Sequence, residues 1–321
     1  MGFNRENYAR IKQEYEGKYL RAQAAARLRS MDIHAKIPEV EEIDARLAST
    51  GFCIFEASLI DDKKALEEIK RENIALKKRK AELLVAAGYP ADYTEIKYEC
   101  ELCGDTGVVD YKMCSCMKEK LVIAGLESSG MYELIKTQTF DNFDLSYYSG
   151  EALQRMKMIL DITRQYAENF ELERSGSIIM MGNTGLGKTH LSSAMGGVII
   201  SKGNDVYYTG AVEMLSEFET ERFGYDRSGE ASSATDKYFT CDLLIIDDLG
   251  TELINQFTTS CLYNVINSRL IKKKATIINT NFSRDELRKK YQDRITSRIF
   301  GEYTVLPFLG TDIREKKIFK K

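Results

Sequence analysis

From residue 3 to residue 89 the apolar positions recur at helical spacing. Tyr8, Ile11, Tyr15, Tyr19, Ala22 and Ala26 fall three and four apart, on one face of a helix. Pro38 suits the first turn of a second helix carrying Val40, Ile43 and Leu47, and Ser49-Thr50-Gly51 reads as its stop. Asp61-Asp62 opens a third helix with Leu66, Ile69, Leu76 and Leu83 on one face. Asn73 and Lys80 take the heptad positions between them, and Gly88-Tyr89-Pro90 ends the run. The pattern predicts a helical hairpin or short coiled coil whose apolar stripes pack on one another or dock another protein.

Beyond residue 139 the pattern changes. A helix over about 150–169 places Leu153, Met156, Leu160 and Ala167 on one inward face. Short apolar runs then alternate with helical stretches, at 177–181, 205–209, 243–248, 276–281 and 303–307. Strands alternating with helices predict an α/β domain. Residues 224–236 form a polar, glycine- and serine-rich loop expected to be mobile.

Composition changes this picture little. A chain of 321 residues has room for about two domains. A net charge of -3 gives no global attraction to nucleic acid, so such binding would need local patches; Lys77-Lys78-Arg79-Lys80, Lys272-Lys273-Lys274 and Lys316-Lys317 are the candidates. No apolar run reaches the length of a membrane span and the first residues lack a secretory signal, so the expectation is a cytoplasmic protein without a membrane partner. Seven cysteines in such a chain argue against a disulfide framework, and Cys53, Cys241 and Cys261 stand in apolar surroundings as buried thiols.

The other four cysteines cluster. Cys100 and Cys103 form a C-x-x-C-G knuckle, and Cys114 and Cys116 follow after a stretch, Gly104 to Lys112, able to form a hairpin. Four thiolates suit a closed tetrahedral Zn²⁺ site of structural role, since four protein ligands leave no position for substrate. An iron–sulfur cluster fits the close C-x-C pair less well, and a redox dithiol lacks its βαβ context.

The organising chemistry lies at Gly182-Asn183-Thr184-Gly185-Leu186-Gly187-Lys188-Thr189, a G-x-x-x-x-G-K-[ST] loop between a buried strand and a helix. Glycines there let backbone N–H groups cradle phosphate oxygens at a helix N-terminus. Lys188 reaches the β- and γ-phosphates, and Thr189 places its hydroxyl on Mg²⁺. Leu243-Leu244-Ile245-Ile246 delivers Asp247 and Asp248 at a strand end, Asp247 toward Mg²⁺ and Asp248 toward the attacking water. Asn281, at the tip of the next strand, either contacts the γ-phosphate and water or caps the helix that follows. Arg294 and Arg298, one helical turn apart, are candidates for an arginine finger given to a neighbour's nucleotide. His190 reads as helix packing.

With these residues in place, the chain resembles the AAA+ ATPases of the DnaC/DnaI helicase-loader and IstB transposition-helper group. GNTGLGKT, LLIIDDLGTE, INTN and RITSRIFG occur in that order, and Thr139-Phe140-Asp141-Asn142-Phe143 resembles the segment these proteins place before the ATPase core. The resemblance implies a parallel five-stranded sheet in the order 5-1-4-3-2. It makes Lys188 and Thr189 the Walker A pair, Asp247 and Asp248 the Walker B pair, and Asn281 the first sensor. It favours Arg298 over Arg294 as finger. Too few residues follow the last strand for the helical lid common in AAA+ proteins, and Arg314 resembles a C-terminal arginine that stands in for the lid's. Many AAA+ enzymes carry glutamate where Asp248 stands. The cysteine cluster ahead of the ATPase makes the chain most like a DnaI-type loader.

The expected organisation is a helical docking region over 1–98, a zinc module over 99–120, a linker over 121–138 and the ATPase domain over 139–321. The expected activity is Mg²⁺-dependent ATP hydrolysis as an assembly and release switch. Its partners would be the hexameric replicative helicase, single-stranded DNA and further copies of the chain through the ATP sites. The rival readings are an IstB-like transposition helper and a P-loop small-molecule kinase.

Overall fold

Helices fill the first third of the chain. In a computed structural model that describes residues 3–59, 63–223 and 234–314, the side chains of 51–63 excepted, α1 spans Arg5–Lys36, α2 Pro38–Leu59 and α3 Lys63–Ala86. The opening of the third helix at Asp61-Asp62, the Cys53 thiol, most of the 224–236 loop and the tail Lys316-Lys317 lie outside the described residues. Contacts divide the chain into Arg10–Met117 and a second unit that joins Met1–Ala9 to Lys118–Lys321.

Within the first unit, α1 buries Ile11, Tyr15, Ala26 and Ile33, the spacing its sequence carries. Helices α2 and α3 pack side by side as a hairpin. The two polar heptad positions of α3 find partners on α2: Asn73 accepts from the Thr50 hydroxyl at 2.7 Å, and Lys80 donates to Asp44 at 2.6 Å. The expected stop at Ser49-Thr50-Gly51 is overturned, because α2 runs on to Leu59. A mid-helix glycine costs only about 1 kcal/mol against alanine. Thr50 keeps its hydroxyl on the Leu47 carbonyl within the helix. Ile33, Val40 and Leu84 are buried together where the three helices meet, each contributing about 1.5–3 kcal/mol. Residues after α3 lead to a two-stranded hairpin, β1 (Val108–Val109) and β2 (Lys112–Met113). Asp110 and Tyr111 turn it with φ of 47° and 60°, the paired left-handed geometry of a tight hairpin.

The second unit enters through α4 (Ser115–Ser128), which begins in the first, and α5 (Tyr132–Ile135). Helix α6 (Gly150–Glu168) precedes β3 (Ser177–Met181), and α7 (Lys188–Ser201) follows it. Then come β4 (Val206–Gly210), α8 (Ala211–Phe223), α9 (Asp236–Thr240), β5 (Leu243–Leu249) and α10 (Gln256–Ile271). The last elements are β6 (Ala275–Thr280), α11 (Arg284–Lys290), α12 (Asp293–Glu302) and β7 (Tyr303–Pro307). All five long strands pair in parallel, in the order β4-β5-β6-β3-β7. Counting from β3 as the first, this is the expected 5-1-4-3-2 sheet.

Each strand sends alternate side chains to opposite faces. Ile178, Met180, Leu243, Ile245 and Ile277 enter the core shared with α6 and α7. Ile179, Met181, Leu244, Ile246 and Ile278 enter the core shared with α8, α10 and α12. The two-period alternation is invisible in the sequence because both faces are dry. Met156 of α6 is buried as its spacing predicts, Leu153 and Leu160 pack against the same core, and Cys241 and Cys261 are buried. Edge strand β4 is met by the turn after α4, where the Tyr208 N–H donates to the Ser129 carbonyl at 2.8 Å.

Arg269 on α10 carries no candidate role in the sequence. Its guanidinium is fully buried and donates to the carbonyls of Tyr238, Cys241 and Ala275 and to the Thr276 hydroxyl. It thereby ties the entry of β5 to that of β6. Among the described residues, no helix is long and apolar enough to cross a membrane.

Candidate active site and metal centre

Strand β3 ends at Met181, and the chain crosses the sheet's C-terminal edge as a loop of three left-handed or open glycines before α7 begins at Lys188. Two of them leave no room for a side chain. A Cβ on Gly182 (φ 146°) would lie 2.5 Å from the Phe308 carbonyl oxygen, and one on Gly185 (φ 74°) would lie 1.7 Å from Asp312 Oδ1. The loop is thus held from behind by the segment that follows β7, which also donates Ile313 N–H to the Gly185 carbonyl at 3.1 Å.

Lys188 is buried and points back into the loop. Its Nζ donates to the carbonyls of Gly182 (2.6 Å) and Asn183 (2.8 Å) and to Asn281 Oδ1 (2.7 Å). Burial pulls its pKa down to about 8, against the pull of the Asp248 and Asp247 charges, with Arg314 adding to the depression. An amine so poorly solvated gains most from an incoming polyanion. Asn281 bridges to Asp248, its Nδ2 donating to Oδ1 at 3.3 Å. The helix-cap alternative for Asn281 falls away, since Ser283 caps α11 in a reciprocal capping box with Glu286.

The two aspartates divide by burial. Asp247 is buried and accepts from Thr189 Oγ1 (3.0 Å to Oδ2) and Asn279 Nδ2 (2.9 Å to Oδ1), as well as from the Tyr208 hydroxyl. Asp248 sits at a register break in the β5–β6 pairing with φ 52°, and its side chain is exposed. The irregularity turns two successive residues of a strand to different tasks, one inward and one into the cavity mouth.

The cavity itself measures about 410 Å³, within the range of small-ligand sites. The phosphate loop, Asp248, Asn281 and Arg314 line it on one side, and residues 137–148 on the other. Phe143 stacks on Tyr148, whose hydroxyl donates to the Leu186 carbonyl at 2.9 Å. His190 packs edge-on to Phe143 and donates to the Thr139 carbonyl, as its packing role requires. Gln138 Oε1 is buried there with no partner among the described residues. The donor set fits the expected groups: a glycine cradle and a buried amine for phosphates, and hydroxyl plus carboxylate oxygens for a hard divalent cation.

Arg298 and Arg294 are not among the residues lining this cavity. Arg298 lies on α12, donating to Asn267 Oδ1 (2.8 Å), the Tyr263 hydroxyl (2.8 Å) and the Arg294 carbonyl, with its plane over the Tyr263 ring. Sequence reasoning passed over Tyr208, Asn279 and Gln138. Asn279 had a visible signal, a polar residue inside an apolar strand, whereas Tyr208 reaches Asp247 only because β4 pairs with β5.

In the first unit, the sulfurs of Cys100, Cys103, Cys114 and Cys116 all lie within 4.8 Å of one another. Cys100 and Cys114 are 3.9 Å apart and Cys103 and Cys116 3.6 Å, too far for disulfides. Tetrahedral zinc with bonds of about 2.3 Å needs sulfurs about 3.8 Å apart, so the cluster fits that ion. Asp105, with φ 58°, accepts from the N–H groups of Glu99 and Cys100, and Gly107 donates to Cys103 Sγ at 3.4 Å. Such contacts fix ligands before the metal arrives. Burial pushes the Cys116 thiol up to about 12, whereas a hydrogen bond from the Cys103 backbone pulls the Cys100 thiol down to about 7.

The family model of "IstB-like ATP binding protein" matches residues 127–306. A replicative helicase loader DnaC of Buchnera aphidicola (from Acyrthosiphon pisum) is 25% identical over 174 residues, 54% of this chain and 68% of that protein. A putative ATP-binding protein of insertion sequence IS232 from Bacillus thuringiensis is 24% identical over 249 residues, 72% of this chain and 94% of that one. Among solved structures, a DnaC helicase loader superposes with a TM-score of 0.48 at 21% identity, over 55% of this chain and 99% of that one.

Proposed function

The chain belongs to the family of IstB-like ATP-binding proteins, and from that premise we propose that it is a magnesium-dependent ATPase that loads a replicative DNA helicase. One observation carries the ATPase part: Lys188, Asn281 and Asp248 form a hydrogen-bonded line along the cavity, while Thr189 and Asp247 pair beside it. Bound Mg²⁺ would supply charge neutralisation on the β- and γ-phosphates. Thr189 and Asp247 would hold that ion, and Lys188 the phosphate oxygens. Asp248 would orient the attacking water, with Asn281 keeping the carboxylate and the amine in register. Gln138 Oε1 offers an acceptor to the exocyclic amine of adenine, and Arg314 a charge near the phosphates.

The loader part rests on the DnaC relatives. In this reading ATP assembles copies of the chain, with Arg298 of one facing the nucleotide of the next, and the assembly holds single-stranded DNA. The helical region ahead of the ATPase grips the hexameric helicase, a zinc ion held by the four cysteines keeps that region folded, and hydrolysis releases the helicase. The protein would act in the cytoplasm. The length of the IS232 match favours a second reading, a transposition helper that binds target duplex for a transposase.

Two measurements on the full chain test this. ATP hydrolysis should be lost in Lys188→Ala, by about 100-fold or more if the amine stabilises developing charge. Native mass spectrometry with ATP, single-stranded DNA and the replicative helicase should give a ternary complex. A chain that binds ATP yet ignores the helicase and takes up duplex DNA would favour the transposition reading.

A further inference from the structure

Tyr208 is drawn into the site by tertiary structure alone, and its position poses a counting problem. An ionised carboxylate offers about four lone-pair positions. On Asp247 the Asn279 amide and the Asp248 backbone N–H take Oδ1, at 2.9 and 3.1 Å. The Thr189 hydroxyl (3.0 Å) and the Tyr208 hydroxyl take Oδ2. Every position is filled by the protein itself. A divalent ion beside Thr189 keeps several waters, and any of these that donates to Asp247 must displace one of the four.

Three of the donors are poor candidates to leave. The Asp248 N–H is backbone, fixed by the register break and by φ 52°. Asn279 is fully buried, and among the described residues its amide N–H groups reach only Ser192 Oγ (2.8 Å) and Asp247, so leaving would strand a buried N–H. Thr189 can keep donating to Asp247 while a lone pair of the same oxygen faces the ion. Tyr208 differs on each count. It is half-buried on the edge strand β4, its backbone is secured by the bond to Ser129, and water can accept its hydroxyl once the ring turns.

We propose that the Tyr208 hydroxyl occupies the place on Asp247 that a water of the hydrated magnesium ion takes in the loaded site. Tyr208 therefore competes with the metal and sets the magnesium concentration at which the nucleotide is held as its metal complex. This rests on the reading of the cavity as a magnesium–ATP site. It assigns Tyr208 a positioning role that works against the metal, while Asn279 and the Asp248 N–H keep the carboxylate aimed.

The test is a titration of the full chain with a non-hydrolysable, fluorescent ATP analogue, across magnesium concentrations from chelator excess to saturation. In Tyr208→Phe the affinity without magnesium should match that of the unmodified protein within about twofold, which also reports an intact fold. The magnesium midpoint should fall by about tenfold or more, the effect of one competing hydrogen bond to a charged group. An unchanged midpoint would overturn the proposal, and a raised one would show instead that Tyr208 supports metal binding. Should the phenylalanine variant fail to fold, Tyr208→Met removes the same hydroxyl and is read in the same way. Absence of analogue binding by the unmodified protein at every magnesium concentration would overturn the nucleotide reading itself, and this inference with it.

Discussion

At the scale of single residues, burial does most of the chemistry. Lys188 has its pKa lowered to about 8 from an ordinary 10.5, first by desolvation. Between those pH values the unfolded chain holds a proton that the folded, nucleotide-free chain has released. Stability from this group therefore rises with pH across that window, and at neutral pH the buried charge is a cost. Phosphates brought against the amine reverse the imbalance. ATP binding near pH 8.5 should accordingly take up protons, and the uptake should fade as the pH drops below 8. Calorimetry in buffers of differing ionisation heat measures it directly; uptake independent of pH would rule out a depressed Lys188. The motif residues Lys188, Thr189, Asp247, Asp248 and Asn281 were legible because loop and strand ends concentrate them. Tyr208 was not, since a tyrosine in an apolar strand looks like core until the neighbouring strand is known.

At the scale of elements, the strands were legible and their joints less so. Apolar runs located all five within a residue or so of their observed ends. The α2 stop at Ser49-Thr50-Gly51 failed because local breakers were outweighed by packing of α2 along α3, where Thr50 bonds to Asn73. Arg269 shows the converse, a joint that no local pattern marks. Its guanidinium satisfies several carbonyls at the entries of β5 and β6. Arg269→Met should lower stability by about 2–4 kcal/mol, because those oxygens stay buried without donors. Urea denaturation measures the loss, and a change below about 0.5 kcal/mol would mean that water enters to replace the arginine.

At the scale of the whole molecule, two units carry separate chemistry: a four-cysteine centre in one and a phosphate loop in the other. Purified protein should contain one zinc per chain by metal analysis. Stripping it with a strong chelator should melt helical signal from the first unit, since structural zinc contributes directly to folding. ATP affinity in the second unit should change little, and a large loss would mean that the units fold as one. Arg298, held on α12 by Asn267 and Tyr263, lies away from its own chain's cavity. If it completes a neighbour's site, the hydrolysis rate per chain should climb with protein concentration, and Arg298→Ala should flatten that rise. A rate independent of concentration in the unmodified protein would exclude the finger role.

What the sequence determined by itself is the order of elements and the identity of the groups at the sheet edge. Glycine spacing, apolar strands and the residues ending them follow from local sterics and burial, which a linear pattern records. Tertiary structure decided how those groups are wired. Only strand pairing brings Tyr208 to Asp247. Only the register break separates Asp247 from Asp248, and only the segment after β7 braces Gly182 and Gly185. These contacts join positions from about thirty to well over a hundred residues apart, where no local preference fixes distance, and they decide how tightly the phosphate loop and the Asp247 carboxylate are held.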